Sequence, residues 1–222
     1  MICLSNLTVS YHNSSKTTLD IDKLSFKQGE KVCLLGRSGS GKTTLLECLF
    51  RLRSFEGEIN IGVENIAFSP QSSDLIDTFT VKTNVLMGQF QKSLLKNLWN
   101  LYHKQPQIND LLTQLGIPHL RDEYVLTLSG GEKQRVLIAR SIMENKPLAL
   151  FDEPTSALDV YHSKKTMSVL MEHLTNSTII CAIHDLSLVD YFERIIVLGK
   201  GKIILDTPAS HVDRQNLSEY FD

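Results

Sequence analysis

The sequence has no apolar run long enough to cross a bilayer. A spanning helix needs about 20 residues, and the longest candidates, such as Thr178 to Ile183, have only the length of a buried strand. Cysteine is scarce: Cys3, Cys33, Cys48 and Cys181 show no CxxC spacing, which argues against a disulfide framework or a thiolate metal site. Cys33 and Cys181 stand inside apolar runs and read as core thiols of a reducing compartment. There is no excess of either charge, with 23 Lys and Arg against 25 Asp and Glu. A dedicated nucleic-acid binder normally carries a basic excess or stripe, so nucleic acid is not an expected partner. With 6 prolines and a single Trp (Trp99), no linker, low-complexity tract or internal repeat interrupts the chain. The start lacks a basic segment followed by an apolar run, so no secretory signal is expected.

What remains is ordinary globular composition, 42% hydrophobic and 22% charged, expected to form one domain over 1–222. Ile2 to Ser10 and Thr17 to Phe26 carry alternating and β-branched residues and predict strands. Lys31 to Leu35 is almost continuously apolar, as in a parallel strand buried on both faces. A helix is predicted from Lys42 to Arg51, with Leu45, Cys48, Leu49 and Leu52 on its covered face. Gly57 to Ile61 and Asn65 to Phe68 predict two further strands. The middle of the chain, 75–145, reads mainly helical. Its stripes are Leu94, Leu95, Leu98, Leu101 and Tyr102, then Ile108, Leu111, Leu112 and Leu115 before Gly116 and Pro118. Helix Gly130 to Glu144, strand Leu148 to Phe151, helix Tyr161 to Leu174, strand Thr178 to Ile183 and a hairpin over Arg194 to Leu205 follow. The alternation predicts an α/β fold with a mostly parallel core sheet.

Four places carry chemistry. Gly36-Arg37-Ser38-Gly39-Ser40-Gly41-Lys42-Thr43 fits GxxxxGK[ST] between an apolar strand and an amphipathic helix, the context of a phosphate-binding loop. Its backbone N–H groups can curl around phosphate oxygens at a helix N-terminus. Lys42 would supply charge for the outer phosphates, and the Thr43 hydroxyl a ligand for Mg²⁺. Asp152 and Glu153 follow the strand Leu148 to Phe151. Asp152 is placed to bind the water shell of Mg²⁺ and Glu153 to polarise an attacking water; a helix-capping acidic pair is the plainer alternative. His184 follows the next strand and is the one histidine of 7 expected at the carboxyl edge of the sheet, where open parallel sheets bind ligands. Ser129-Gly130-Gly131-Glu132 forms an S-x-x-E capping box. Its glycine pair leaves bare N–H groups that either simply cap the helix or also meet an anion.

These elements, in this order, resemble the ATP-binding cassette (ABC) family, and the likeness covers essentially the whole chain. Leu128-Ser129-Gly130-Gly131-Glu132 matches that family's signature, Tyr11 its adenine-stacking aromatic, Gln71 its Q-loop glutamine and Ser156-Ala157-Leu158-Asp159 its D-loop. The resemblance implies a P-loop cassette fold with an N-terminal antiparallel β subdomain and a helical signature subdomain, binding ATP and Mg²⁺. It implies nucleotide contacts from Tyr11, Gly36, Ser38, Gly39, Ser40, Gly41, Lys42, Thr43 and Thr44. Ser129, Gly130 and Gly131 would contact nucleotide held by a second cassette, paired head to tail and expected to be another copy of this chain. Metal contacts would come from Thr43, Gln71 and Asp152. Glu153 would be the general base, His184 the γ-phosphate sensor, and Gln71 the link to a partner domain.

Thr83 to Gly88, Leu95 to Tyr102, Asp206 to Ala209 and Leu217 to Tyr220 are further similar to ATPase subunits of phosphonate and phosphite importers. That likeness implies a transmembrane permease, a solute-binding protein and a peripheral site on the cytoplasmic face of the membrane. Importers of amino acids or other small solutes, and lipoprotein-release systems, are the alternatives. Repair ATPases carry a long coiled coil and translation-associated proteins two cassettes, and neither pattern is present. Two departures stand out: Gly57 to Gln71 is short for an importer cassette, and Arg37 replaces a common proline. Between Gln71 and Gln91, the side chains of Phe79, Val81, Val85 and Met87 are expected either to meet the permease or to pack internally.

Overall fold

The computed structural model describes residues 1–10, 17–72, 74–89 and 103–212. Tyr11, Trp99 with the stripe Leu94 to Tyr102, and the segment Leu217 to Tyr220 lie outside them. The chain divides into two compact units. The first takes in Met1–Phe68, Lys146–Glu153 and the chain from Asn176 onward; the second takes in Ser69–Asn145 and Pro154–Thr175.

In the first unit, β1 (Ile2–Ser10) lies between β2 (Thr17–Phe26) and β4 (Glu56–Ile61), antiparallel to both. Ile2 and Leu4, then Leu7 and Val9, are buried; each pair follows the period-2 pattern of a strand, and the phase shifts between them where Asn6 turns left-handed at φ 50° and the pairing with β4 is interrupted. A second sheet has the order β5-β6-β7-β3-β8-β9, where β3 is Lys31–Leu35, β5 Ile66–Ser69, β6 Leu148–Asp152, β7 Thr178–Ala182, β8 Arg194–Gly199 and β9 Lys202–Pro208. Strands β6, β7, β3 and β8 pair in parallel, and β9 returns antiparallel on β8. Every residue of β3, β6 and β7 is buried, as the near-continuous apolar runs require. Cys33 and Cys181 face each other in register at 0% exposure, and burial pushes both thiols up.

Helix α1 (Lys42–Leu49) packs Leu45, Leu46 and Leu49 into the same core as Leu34, Leu150, Ile180 and Ile196. Each such side chain contributes roughly 1.5–3 kcal/mol relative to exposure, so the loops at the carboxyl edge stand on a stiff base. One expectation fails here. Leu52 is 64% exposed, because the helix stops at Leu49 and Arg51 turns left-handed at φ 64°; the helical period has no meaning beyond that turn.

The second unit holds α2 (Val81–Met87), α3 (Gln105–Gln114), α4 (Gly130–Glu144) and α5 (Val160–His173). Ile108, Leu111, Leu112 and Leu115 form the buried stripe of α3 and its end, and Val136, Ala139 and Met143 are buried on α4. Val81 and Val85 are fully buried on α2, so they serve internal packing and offer nothing to a partner; Phe79 is exposed and Met87 half-buried. Fully buried Asn84 binds the preceding loop, accepting from the Ile76 N–H at 2.8 Å and donating to the Ile76 and Thr80 carbonyls. Backbone bonds from the N–H groups of Val81, Lys82, Val125 and Leu126 to the carbonyls of Glu123, Arg121, Phe79 and Asp77 clip the two segments together, and Phe79, Tyr124 and Leu126 are exposed on them.

Candidate active site

In the first unit the loop from β3 to α1 is built by backbone freedom. Gly36, Gly39 and Gly41 have φ of 142°, 76° and 109°, a region that side chains with a Cβ rarely enter. A methyl group at Gly36 would run into the Leu198 carbonyl oxygen. The hairpin of β8 and β9 braces the loop from that side, since the Gly201 N–H donates to Ser40 O at 3.0 Å. Lys42 is 5% exposed and donates from Nζ to Gly36 O at 2.7 Å and to Arg37 O at 3.3 Å. Burial lowers its pKa, while the carboxylates of Glu153 and Asp152 pull it back up. Its ammonium is thus held against the loop by carbonyls a phosphate can outcompete.

Thr43 donates its hydroxyl to Asp152 Oδ2 at 2.7 Å. Asp152, at the end of β6, is 2% exposed; burial raises its pKa, with the Thr43 hydrogen bond opposing and nearby Glu153 adding. Its Oδ1 is buried without a hydrogen-bond partner, as is Ser40 Oγ on the loop. Buried polar atoms left unmatched are uncommon and need explanation. Here both lie on groups suited to a polyphosphate and a hard cation. Among the described residues no cluster of three or more His, Cys, Asp and Glu could hold a metal. Mg²⁺ is usually held by one or two protein oxygens together with substrate phosphates, and the Thr43–Asp152 pair fits that donor set.

Glu153 follows at φ 53°, a left-handed conformation costing on the order of 1–3 kcal/mol for a residue with a side chain. Its N–H donates to Ala182 O at 2.9 Å, and its Oε1 meets His184 Nε2 at 2.6 Å. The strain turns the carboxylate back to the end of β7, where His184 fixes its direction. Lys42, Thr43, Asp152, Glu153 and His184 therefore gather at one sheet edge, as the parallel strand order demands.

Gln71, Ser129, Gly130 and Gly131 belong to the second unit. Gln71 is exposed in a bend. Ser129 caps α4 and the capping box is complete, with Glu132 N–H donating to Ser129 Oγ and Ser129 N–H to Glu132 Oε2 at 2.8 Å. Gly131 is a matter of space: a Cβ there would stand 3.0 Å from Ala157 O. Tyr11 lies outside the described residues.

Two supporting groups escaped the sequence reading. Gly201 left no periodic trace of its contact with Ser40. Gln134, two residues past the capping box, donates from Nε2 to Ser156 Oγ at 2.8 Å and accepts the Ala157 N–H at 2.9 Å; its burial on a helix with polar neighbours was the available signal.

A glycine-rich loop between a buried strand and a helix, with an acidic pair at the end of the parallel strand next but one, defines a P-loop ATPase. Residues 19–156 match the family model described as ABC transporter. The chain is 32% identical over 245 residues to the phosphonates import ATP-binding protein PhnC of Lactococcus lactis subsp. cremoris (strain SK11), covering 100% of this chain and 98% of that protein. It is 33% identical over 224 residues to the ATP-dependent lipid A-core flippase of Methylobacillus flagellatus, covering 91% of this chain but 37% of that protein. A dimeric ATP-binding cassette in a post-hydrolysis state, bound to ADP and Pi, superposes with a TM-score of 0.78 at 28% identity, covering 94% of this chain and 99% of that one. The chain belongs to the ABC transporter family, whose members bind ATP and hydrolyse it to power transport.

Proposed function

We propose that residues 1–222 act as one ATPase domain that drives a membrane importer for phosphonate- or phosphite-type oxyanions. The observation that carries the ATPase chemistry is the edge cluster in which Glu153 is aimed by His184 beside the Thr43–Asp152 pair. The likeness to the Lactococcus lactis importer protein along nearly the full length of both chains supports the import reading.

In this reading the amides of Gly36 to Thr44, including those of Ser38, Gly39, Ser40 and Gly41, cradle the phosphates and Lys42 neutralises the outer ones. Tyr11 stacks on the base. Thr43 and Asp152 would hold Mg²⁺, with Gln71 the further ligand that the family resemblance implies, and the ion would withdraw charge from the phosphoryl oxygens. Glu153 takes a proton from the attacking water as general base, and His184 orients that carboxylate and senses the γ-phosphate. Ser129 and the bare N–H groups of Gly130 and Gly131 serve nucleotide held by a second copy of the chain, paired head to tail; the similar cassette bound to ADP and Pi is itself dimeric. No helix among the described residues is long and apolar enough to cross a membrane. In this reading a separate permease, fed by a solute-binding protein, forms the pore, with this chain peripheral on the cytoplasmic face of the membrane, and Gln71 with exposed Phe79, Tyr124 and Leu126 is the surface offered to that permease.

Purification of the tagged chain from its native membranes in mild detergent tests the transport reading. Recovery of a multi-span permease, encoded beside a binding protein that takes phosphonate, is the expected result. A flippase or lipoprotein-release partner overturns the import assignment; recovery of DNA, ribosomes or soluble partners alone overturns transport.

A further inference from the structure

The second unit contains a contact that the roles above do not use. Gln134, on the same helix as the signature glycines, hydrogen-bonds the Ser156–Asp159 loop. Ser156 and Ala157 are themselves exposed, whereas Gln134 is only 9% exposed. Both ends of its amide are committed to the loop, Nε2 to Ser156 Oγ and Oε1 to the Ala157 N–H. Above this clamp the loop lies directly on the first turn of α4: a Cβ at Gly131 would meet Ala157 O at 3.0 Å, and one at Gly130 would meet the Ala157 Cβ at 3.7 Å. The far side of the loop is held as well, because Ser163 Oγ donates toward the Leu158 carbonyl and Asp159 caps α5.

Helix starts with exposed N–H groups are useful to an anion only if their aim is fixed. Here the capping box fixes the helix to itself, and Gln134 is what fixes it to the loop that continues from Glu153 through Pro154 and Thr155. We infer that Gln134 is a positioning residue, locking the Gly130 and Gly131 amides and the Ser156–Asp159 loop into one body that presents itself to the opposite cassette. This rests on the head-to-tail pairing proposed above. Gln134 touches no reacting atom. Its loss should leave each chain able to bind ATP on its own phosphate loop and impair the ATP-driven meeting of two chains.

Chemistry supplies a rescue. Glutamate at 134 still accepts the Ala157 N–H, and its second oxygen accepts a proton from the Ser156 hydroxyl, so both links survive with the second reversed. Methionine fills the same volume and makes neither. Each change is placed in the full-length Glu153→Gln chain, and the ATP-dependent dimer is followed by analytical ultracentrifugation, with affinity for a fluorescent ATP analogue measured beside it.

The expected result is a dimer in the parent and with Gln134→Glu, and about tenfold weaker dimerisation or more with Gln134→Met, the order expected for two lost hydrogen bonds. Analogue affinity stays within about twofold in all three, which shows that the phosphate loop remains folded. Dimerisation of the Met variant at parental strength overturns the inference while leaving the pairing intact. Failure of the Glu variant to rescue also overturns it, since volume and packing would then explain the loss. A monomeric parent overturns the pairing itself, and this inference with it.

Discussion

In the proposed reading, Lys42 and Glu153 are the single residues that store what the reaction draws on. The Lys42 ammonium is held in a nearly closed site by two carbonyls of its own loop, and burial disfavours its charge. Phosphate oxygens relieve that condition. Lys42→Ala should therefore weaken ATP binding about 10- to 100-fold, the scale of losing charge-assisted hydrogen bonds, measured by titration with a fluorescent nucleotide. Binding at wild-type strength would mean that the loop does not grip the phosphates through this side chain. Glu153 carries a different cost. Its left-handed φ is unfavourable for the fold and is retained where it points a carboxylate at His184. No spacing rule could show this, because an Asp-Glu pair after a strand reads equally well as the start of a helix.

At the scale of elements, local rules did best where the governing contact is local. The capping box of Ser129 and Glu132 and the buried strands β3, β6 and β7 stand where the spacing and apolar runs put them. Helix α5 begins one residue before the predicted Tyr161 because Asp159 accepts the His162 N–H and so caps it at Val160. Reading failed where a distant partner decides the outcome. Val81 and Val85 lie four apart on one face of α2, a spacing that fits burial and docking alike; only the tertiary packing turns that face inward. The hold of Gln134 on residues more than twenty positions away was invisible for the same reason.

The capping box also carries a pH dependence. Hydrogen bonds from the Ser129 hydroxyl, and then from its N–H, hold the Glu132 carboxyl below its usual range. A depressed carboxyl stabilises the folded state above its ordinary pKa, and that contribution fades as pH falls through the depressed value. Amide protection in the first turn of α4, taken relative to the unstructured chain at the same pH, should fall over that acid range. In Glu132→Gln the same two bonds persist without a proton to gain, so that fall in protection should vanish. An identical acid profile in both proteins would remove Glu132 from the cap.

For the whole molecule, the sheet edge of the first unit gathers Lys42, Thr43, Asp152, Glu153 and His184, while the second unit carries the exposed helix start of α4. In the proposed reading each unit supplies part of the chemistry, and pairing of two chains brings the parts together. The account stands most directly on Glu153. ATP hydrolysis by purified wild type and Glu153→Gln, with ATP binding measured on the same samples, isolates its role. Loss of turnover by roughly 10²–10⁴-fold with ATP binding retained is the predicted result. Near-normal turnover by Glu153→Gln would contradict the assignment of Glu153 as the base and, with it, the central claim about this site.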